Sequence, residues 1–145
     1  MEEKKPEPNI SGPDKPKEGK EKIDLRILVA DDNKDIREVL KFMLSMKYTS
    51  IESVEDGELL VDKLSKPDHN FDFIITDNSM PNLTGIEAIG KIRAMEHLKN
   101  IPIIIYTTDT GSTKEEAEAM GAFFLPKPAK PEVLYAAIES LRQKK

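Results

Sequence analysis

Short apolar runs alternate along the chain with longer segments in which apolar residues recur every three or four positions. The runs are rich in isoleucine, valine and leucine, which is typical of buried β-strands, and the longer segments are typical of amphipathic helices. Five strands are predicted in this way, at residues 25–30, 49–54, 73–77, 103–107 and 122–125. A helix is predicted after each strand.

Polar residues and prolines indicate where the helices begin. Segment 31–33 and Asp56 are suited to cap the first two helices, and Pro131 is suited to the first turn of the last helix. Thr113 and Glu116 have the spacing of a capping box and predict the start of a short fourth helix. The four longer helices are marked by Ile36, Val39, Leu40, Met43 and Leu44; by Leu59, Leu60 and Leu64; by Ile86, Ile89, Ile92 and Met95; and by Val133, Leu134, Ala137, Ile138 and Leu141.

The alternation of strands and helices predicts one parallel sheet with helices on both faces. We expect an α/β, doubly wound, flavodoxin-like fold with five parallel strands in the order 2-1-3-4-5. Such sheets bind ligands in a crevice beyond the carboxyl ends of strands one and three. Residues 71–85 lead into this crevice, because an apolar run ends at Asp77 and is followed by the turn-forming residues Pro81, Asn82 and Gly85.

Composition narrows the class of protein. The chain has 145 residues, of which 22 are basic and 27 acidic, so its net charge is −5. This length suffices for one domain with a real core, and the acidic balance argues against direct nucleic-acid binding. The absence of cysteine excludes disulfides, thiolate metal sites and cysteine nucleophiles. No apolar run approaches membrane-spanning length, so we expect a soluble, cytoplasmic protein without membrane insertion.

The first 22 residues differ in composition from the rest. They hold four of the ten prolines, six acidic residues and six lysines, with Ile10 as the one large apolar residue besides Met1. Such a segment buries too little apolar surface to offset the entropy of ordering its backbone. We predict a disordered, charged, proline-rich tail or linker over residues 1–22, with a partner-binding arm as the alternative, and one domain over 23–145. Because only residues 143–145 follow the last helix, we expect no output domain after it.

Chemically active side chains collect at the ends of the predicted strands. Asp31 and Asp32 end strand one, Asp77 ends strand three, Thr107 ends strand four and Lys127 follows strand five. The carboxyl ends of parallel strands meet at one edge of the sheet, so these side chains are expected to converge. Three carboxylates in one crevice repel one another unless a positive charge joins them. Oxygen ligands without histidine or cysteine suit a hard cation, and Mg²⁺ is therefore the expected ion.

The other groups at this edge suit a phosphoryl group. Mg²⁺ commonly combines one or two carboxylates with a phosphate. Lys127 offers a mobile positive charge, Thr107 offers a hydroxyl donor, and the backbone amides of residues 78–79 offer further donors. Asp77 is then the candidate nucleophile, which forms an acyl phosphate while the metal and the lysine stabilise the transferring charge.

These residues lie in segments that resemble the receiver domain of two-component response regulators, of the stand-alone chemotaxis-regulator (CheY-like) type. The resemblance covers about residues 24–142 and includes all five site residues of that family. Each segment alone is a weak signal, but the complete set at family spacing in one strand–helix series is a strong one. The segments are 27–33, 72–77 with Met80, Pro81 and Gly85, 102–107 and 124–128.

The resemblance implies a role for each site residue. Asp77 is expected to be the phosphoacceptor. Asp31 and Asp32 are expected to be the acidic metal-binding pair, completed by Asp77 and by the backbone carbonyl of Ser79. Lys127 is expected to pair with the phosphoryl group, and the peptide bond after Lys127 is expected to be cis.

The resemblance also implies residues for switching and tuning. Thr107 is the expected switch hydroxyl, and Phe124 is the switch aromatic that turns inward when Thr107 is drawn to the phosphate. This change would alter a partner-binding face formed by helix four, strand five and helix five. Phe124 lacks the hydroxyl of the commoner tyrosine, and the chain is one residue shorter than is usual in the family between Gly121 and Lys127. Ser79 and Asp109 occupy the positions expected to tune hydrolysis of the phosphoryl group.

The implied function is that of a signalling phosphoacceptor rather than an enzyme. It would take a phosphoryl group from a sensor histidine kinase or a histidine phosphotransfer protein and would signal to an unknown protein target. One alternative is a Mg²⁺-dependent phosphohydrolase with an aspartyl-phosphate intermediate, although Ser79 stands where such enzymes carry a second carboxylate. A third interpretation is the receiver segment of a larger hybrid histidine kinase, and a fourth is a degenerate receiver that acts only as a scaffold.

Taken one at a time, the proposed site residues could also have purely structural roles. Asp31 and Asp32 could merely cap the first helix, and Asp77 could be a turn residue. Their joint placement at one sheet edge, together with Thr107 and Lys127, favours the functional interpretation. The two histidines, at positions 69 and 97, stand in polar surroundings, and we expect them to be isolated and solvent exposed.

Overall fold

A computed structural model describes residues 21–143 of the chain. Apart from Glu21 and Lys22, the tail predicted over residues 1–22 lies outside the described residues, so its disorder stays a prediction. The ten predicted strands and helices are all present, and one short 3₁₀ helix is added between α3 and β4.

The sheet has five parallel strands in the order β2-β1-β3-β4-β5, which confirms the predicted topology. The strands are β1 (Ile23–Ala30), β2 (Tyr48–Val54), β3 (Phe73–Thr76), β4 (Ile103–Thr107) and β5 (Phe123–Pro126). The helices are α1 (Lys34–Ser45), α2 (Gly57–Ser65), α3 (Gly85–Arg93), α4 (Thr113–Ala119) and α5 (Pro131–Arg142), and the 3₁₀ helix is Glu96–Leu98.

The register of the strands determines which residues meet at the carboxyl edge. Ala30 of β1 is paired with Thr76 of β3, and Thr107 of β4 is paired with Pro126 of β5. The residues that directly follow β1, β3 and β5 are therefore brought to the same edge of the sheet. This edge lies at the switch point between β1 and β3, where the strand order reverses.

Both faces of the sheet are covered by helices. Side chains alternate along β1, so Ile27 and Val29 pack on one face while Leu28 and Ala30 pack on the other. Fully buried apolar residues on both faces explain why the strands read as continuous apolar runs. The first face packs against α1 and α5 through Leu40, Leu44, Leu134 and Ile138, and the second against α2 and α3 through Leu60, Leu64, Ile89 and Ile92.

The helix starts agree only in part with the sequence prediction. Asn33 caps α1 by accepting a hydrogen bond from the amide of Ile36 at 3.0 Å. The capping box predicted at Thr113 is wrong, because α4 begins at Thr113 itself and its N-cap Ser112 makes no side-chain capping bond. A capping box is instead formed at the start of α3 by Thr84 and Glu87, which have the same spacing.

Some predicted apolar positions are not buried. Val39, Leu59 and Val133 are 63%, 41% and 46% exposed, although the helical pattern grouped them with buried neighbours. A helix that rests on a sheet buries only the stripe nearest to it, and apolar residues beside that stripe stay in solvent. Met95 lies beyond the end of α3, because that helix ends at Arg93.

The prediction that the two histidines are isolated is also wrong. The ring centroids of His69 and His97 are 5.6 Å apart, because the loop after α2 and the 3₁₀ helix meet near the amino edge of the sheet. His97 is exposed, whereas His69 is half-buried and stacks on Phe71. Burial first, and the neighbouring His97 second, lower the pKa of His69 below its usual value.

Candidate functional site

A lysine bridges two aspartates at the carboxyl edge of the sheet. Lys127 donates from Nζ to Asp31 Oδ2 at 2.7 Å and to Asp77 Oδ2 at 3.1 Å. The side chains of Lys127, Asp31 and Asp77 are only 11%, 2% and 11% exposed. Burial lowers the pKa of Lys127, but the hydrogen bond to Asp31 and the charge of Asp77 outweigh it, so the pKa is raised above its usual value.

The third predicted metal ligand joins the same group. One carboxylate oxygen from each of Asp31, Asp32 and Asp77 lies within 4.8 Å of the other two. Asp32 is exposed and closes the cluster on the solvent side. Three negative charges face one lysine charge, so the cluster as a whole is electrostatically unbalanced. The donor set is all oxygen and partly open to solvent, which fits a hard, partly hydrated ion such as Mg²⁺.

The backbone around Asp77 is fixed on both sides. Its amide donates to the carbonyl of Ala30 at 2.8 Å, which continues the β1–β3 ladder by one residue. Its Oδ1 accepts from the amide of Asn78 at 2.6 Å, and its Oδ2 accepts from Lys127. Gly85 lies against the carbonyl of Asp77 so closely that a Cβ at position 85 would overlap the carbonyl oxygen. This close approach explains the glycine at the start of α3.

Thr107 is joined to Lys127 through its backbone, but its hydroxyl bonds to the loop after β4 and not to the carboxylates. The side chain is buried, and its Oγ1 accepts a hydrogen bond from the amide of Asp109 at 3.2 Å. Its carbonyl accepts from the amide of Lys127 at 2.9 Å, which ties β4 to the loop after β5. The peptide bond between Lys127 and Pro128 is cis, as the resemblance implied.

The two predicted tuning residues contact each other. Ser79 Oγ lies 3.0 Å from Asp109 Oδ2, and Asn78 Nδ2 donates to the same oxygen at 2.7 Å. The loop after β4 is therefore tied to the loop after β3, directly beside Asp77. Asn78 also accepts from the amide of Ile86 at 2.9 Å. Only the backbone of Asn78 was expected to take part in the site, although an asparagine in the loop after a strand is a signal for side-chain bonding of this kind.

Phe124 is placed between the sheet and one layer of helices. It is half-buried and packs against the core cluster on the α2 and α3 face, and it is paired in register with Ile105 of β4. The preceding residue, Phe123, is 42% exposed. Of these two adjacent aromatic residues, Phe124 thus packs on the core while Phe123 is largely exposed to solvent.

Comparison with known proteins identifies the family. The family model of the response regulator receiver domain matches residues 27–139. The chain belongs to this family. It is therefore a receiver domain of two-component signalling, and the acidic cluster described above is compatible with Mg²⁺ and with an aspartyl phosphate.

Three relatives illustrate the contexts of such domains. The chain is 32% identical over 120 residues to the chemotaxis protein CheY of Pseudomonas aeruginosa, covering 81% of this chain and 95% of that protein. It is 36% identical over 118 residues to the CAI-1 autoinducer sensor kinase/phosphatase CqsS of Vibrio cholerae, covering 79% of this chain but 17% of the kinase. The crystal structure of the response regulator TrrA from Thermotoga maritima, in complex with Mg²⁺-BeF, is similar with a TM-score of 0.70 and 31% identity. It covers 81% of this chain and 98% of that structure.

The similarity therefore covers nearly all of CheY but only a small part of the sensor kinase. Receiver domains of this type occur both as CheY-type regulators and within larger sensor kinases. No helix among residues 21–143 is long and apolar enough to cross a lipid bilayer.

Proposed function

We propose that this receiver domain accepts a phosphoryl group on Asp77, with Mg²⁺ as its cofactor, from a sensor histidine kinase or a histidine phosphotransfer protein. The observation that carries the proposal is the buried bridge of Lys127 between Asp31 and Asp77, beside the third carboxylate of Asp32. The TrrA complex with Mg²⁺-BeF supports the choice of the same ion for this fold.

The metal would be held by Asp31, Asp32, Asp77 and the backbone carbonyl of Ser79. When bound, Mg²⁺ neutralises the carboxylate cluster and the charge on the transferring phosphoryl group. Lys127 adds a second positive charge beside Asp77. An oxygen of Asp77 attacks phosphorus as the phosphorus–nitrogen bond of the donor phosphohistidine breaks. The imidazole leaves with the bonding electron pair and takes up a proton, and Asp77 becomes an acyl phosphate.

Thr107 and Phe124 would transmit this event to the surface. The Thr107 hydroxyl now accepts from Asp109, and it would turn to donate to a phosphoryl oxygen. Phe124 is half-buried beside β4, so a shift of Thr107 would change the packing of its ring. The face formed by α4, β5 and α5 would then present a different surface to an unidentified protein target.

Ser79 and Asp109 would set the lifetime of the phosphorylated state. Their side chains contact each other next to Asp77, so they control which water reaches the acyl phosphate. Hydrolysis of its own phosphate would be the domain's only turnover, because Ser79 stands where a phosphohydrolase needs a second carboxylate. We place the protein in the cytoplasm, where its kinase would act, without direct binding to nucleic acid. The match to CqsS supports a second context, in which the same domain is a segment of a hybrid kinase.

The direct test is phosphorylation by acetyl phosphate in the presence of Mg²⁺, followed by intact mass measurement. The wild-type chain is expected to gain the mass of one phosphoryl group, whereas Asp77→Asn gains none. Asp68→Asn is the matched control, because it removes an exposed carboxylate from the loop before β3 and is expected to be phosphorylated normally. A wild-type chain that stays unmodified, or an Asp77→Asn variant that is still modified, would contradict the proposal.

A further inference from the structure

A buried aspartate outside the site contacts the loop that carries the proposed metal-binding carbonyl. Asp56 directly precedes α2 and is 7% exposed. Its Oδ1 accepts from the amide of Leu59 at 2.8 Å, which is the expected N-cap bond. Its Oδ2 accepts from Asn82 Nδ2 at 2.7 Å, across 26 residues of sequence. The second bond is not needed to cap the helix, so it serves the loop between β3 and α3.

Asn82 stands at the most constrained point of that loop. Its φ is +71°, a conformation that, within the described part of the chain, only glycines share. The amide of Leu83 donates to the carbonyl of Pro81 at 2.7 Å, so the turn spans only three residues. A three-residue turn with positive φ is rare and strained, and it persists only where the surroundings hold it. The hydrogen bond that Asn82 donates to Asp56 holds the side chain of Asn82 in this turn.

Two glycines let the loop pack without side chains between backbones. A Cβ at Gly57 would overlap the carbonyl oxygen of Leu83, and a Cβ at Gly85 would overlap the carbonyl oxygen of Asp77. The amide of Gly85 donates to the carbonyl of Asn78 at 3.0 Å and closes the loop at its base. The loop is thus fixed at its base by α3 and at its tip by the first turn of α2.

We infer that Asp56 is a positioning residue for the metal site. It holds Asn82 in the turn and thereby fixes the backbone at Ser79, three residues earlier, whose carbonyl is the proposed ligand. The inference rests on the proposed function, because it concerns the Mg²⁺ site proposed above. A residue that orients a metal ligand without touching the metal commonly changes metal affinity by about tenfold or more when it is removed.

An exchange of the two side chains tests the contact. Asp56→Asn keeps an oxygen for the Leu59 amide but replaces the charged acceptor, and a neutral bond to Asn82 is possible only after the amide of Asn82 turns over to present its oxygen. Asn82→Asp sets two carboxylates against each other. The double variant Asp56→Asn with Asn82→Asp restores one donor and one acceptor in reversed order. All three variants conserve side-chain shape, and the double variant also conserves the net charge, so its comparison with wild type reports the hydrogen bond rather than volume or charge.

The measurement is calorimetric titration with Mg²⁺ alone, with urea unfolding of each sample alongside. We expect Asn82→Asp to bind Mg²⁺ roughly tenfold more weakly, Asp56→Asn to lose less because it can keep a neutral bond, and the double variant to bind within about twofold of wild type. Glu58→Gln is the control, because it removes an exposed carboxylate from the same turn of α2 and is expected to leave the affinity unchanged. Asn82→Gly tests the same contact in a second way, because glycine adopts the positive φ without strain but cannot bond to Asp56. This variant is also expected to bind Mg²⁺ more weakly than wild type.

The inference is overturned if Asn82→Asp and Asn82→Gly bind Mg²⁺ as wild type does, or if Glu58→Gln weakens binding as much as Asn82→Gly. It is also overturned if the double variant is folded but stays as weak as Asn82→Asp. These outcomes differ from a failure of the proposed function. In that case the wild-type chain itself would not bind Mg²⁺, or Asp77→Asn would bind it unchanged.

Discussion

Two cations, Arg93 and Lys127, are held at opposite edges of the sheet, and their partners are of different kinds. Arg93 ends α3 near the amino ends of β4 and β5, where, within residues 21–143, its guanidinium donates only to backbone carbonyls. Lys127 lies at the carboxyl edge, where its ammonium group donates to two carboxylates. The bonds of Arg93 use four of its five N–H donors and all have neutral acceptors, whereas Lys127 is part of a cluster with excess negative charge.

The carbonyls around Arg93 come from two separate connections. Nη1 donates to Leu98 and Ile101 at 3.2 and 2.8 Å, just before β4. Nε donates to Met120 at 2.8 Å and Nη2 to Gly121 at 3.2 Å, just before β5. The planar fork of arginine suits such a set of fixed acceptors. Arg93 therefore joins the connections that precede β4 and β5 to the end of α3.

The pKa directions express the same contrast. Burial lowers the pKa of Arg93, because neutral carbonyls compensate only part of the lost hydration. Burial also lowers the pKa of Lys127, but the hydrogen bond to Asp31 and the charge of Asp77 reverse the sign. A cation held by carbonyls is a structural tie, whereas a cation bonded to two of three crowded carboxylates marks a site that is still short of positive charge.

The largest effect is expected from Arg93→Met. The change removes four hydrogen bonds from a charged donor and leaves carbonyls unpaired, so we expect the free energy of unfolding to fall by about 3 kcal/mol. Urea unfolding measures this loss. Lys91→Met is the matched control, because Lys91 is exposed on the same helix and its removal is expected to change stability by less than about 0.5 kcal/mol.

Under conditions where Arg93→Met is folded, its Mg²⁺ affinity is expected to stay within about twofold of wild type, because no contact of Arg93 reaches the carboxylates. A large loss of Mg²⁺ affinity in this variant would contradict the view that Arg93 has a structural role separate from the carboxylate site.

A smaller effect of opposite sign is expected from Asp32→Asn. Without divalent metal, the change removes one of three mutually repelling charges, and we expect the free energy of unfolding to rise by roughly 1 kcal/mol. Urea unfolding in the presence of a chelator measures this gain. Asp35→Asn is the control: it removes an exposed carboxylate from the first turn of α1, where negative charge is favourable, and is expected to give no gain. A loss of stability in Asp32→Asn would mean that the cluster is not strained by repulsion.

Much of the fold follows from local sequence, because buried β-branched runs and helical spacing are local signals. The strand β4 was predicted at its observed bounds, and Asp31, Asp77 and Lys127 were expected at one edge because parallel strands end together. The roles assigned to individual site residues remain predictions. The capping box was assigned to Thr113, although Thr84 and Glu87 offer the same spacing, since spacing alone cannot tell which helix start adopts the bond.

Contacts between separate loops were not predictable in the same way. The bond between Asp56 and Asn82, and that between Asn78 and Asp109, join residues whose loops meet only after the sheet has formed. The proximity of the two histidine rings has the same origin. Such contacts depend on loop geometry rather than on periodicity, and no single-segment pattern contains them.

The most direct test of the central claim is the linkage between Mg²⁺ and stability at the carboxyl edge. The free energy of unfolding of the wild-type chain is measured by urea at increasing Mg²⁺, with ionic strength held constant by KCl so that screening does not change. We predict a rise of about 1.4 kcal/mol when Mg²⁺ exceeds its dissociation constant tenfold, and a much smaller rise in Asp32→Asn. A wild-type stability that does not change with Mg²⁺, or an equal rise in Asp32→Asn, would contradict the account.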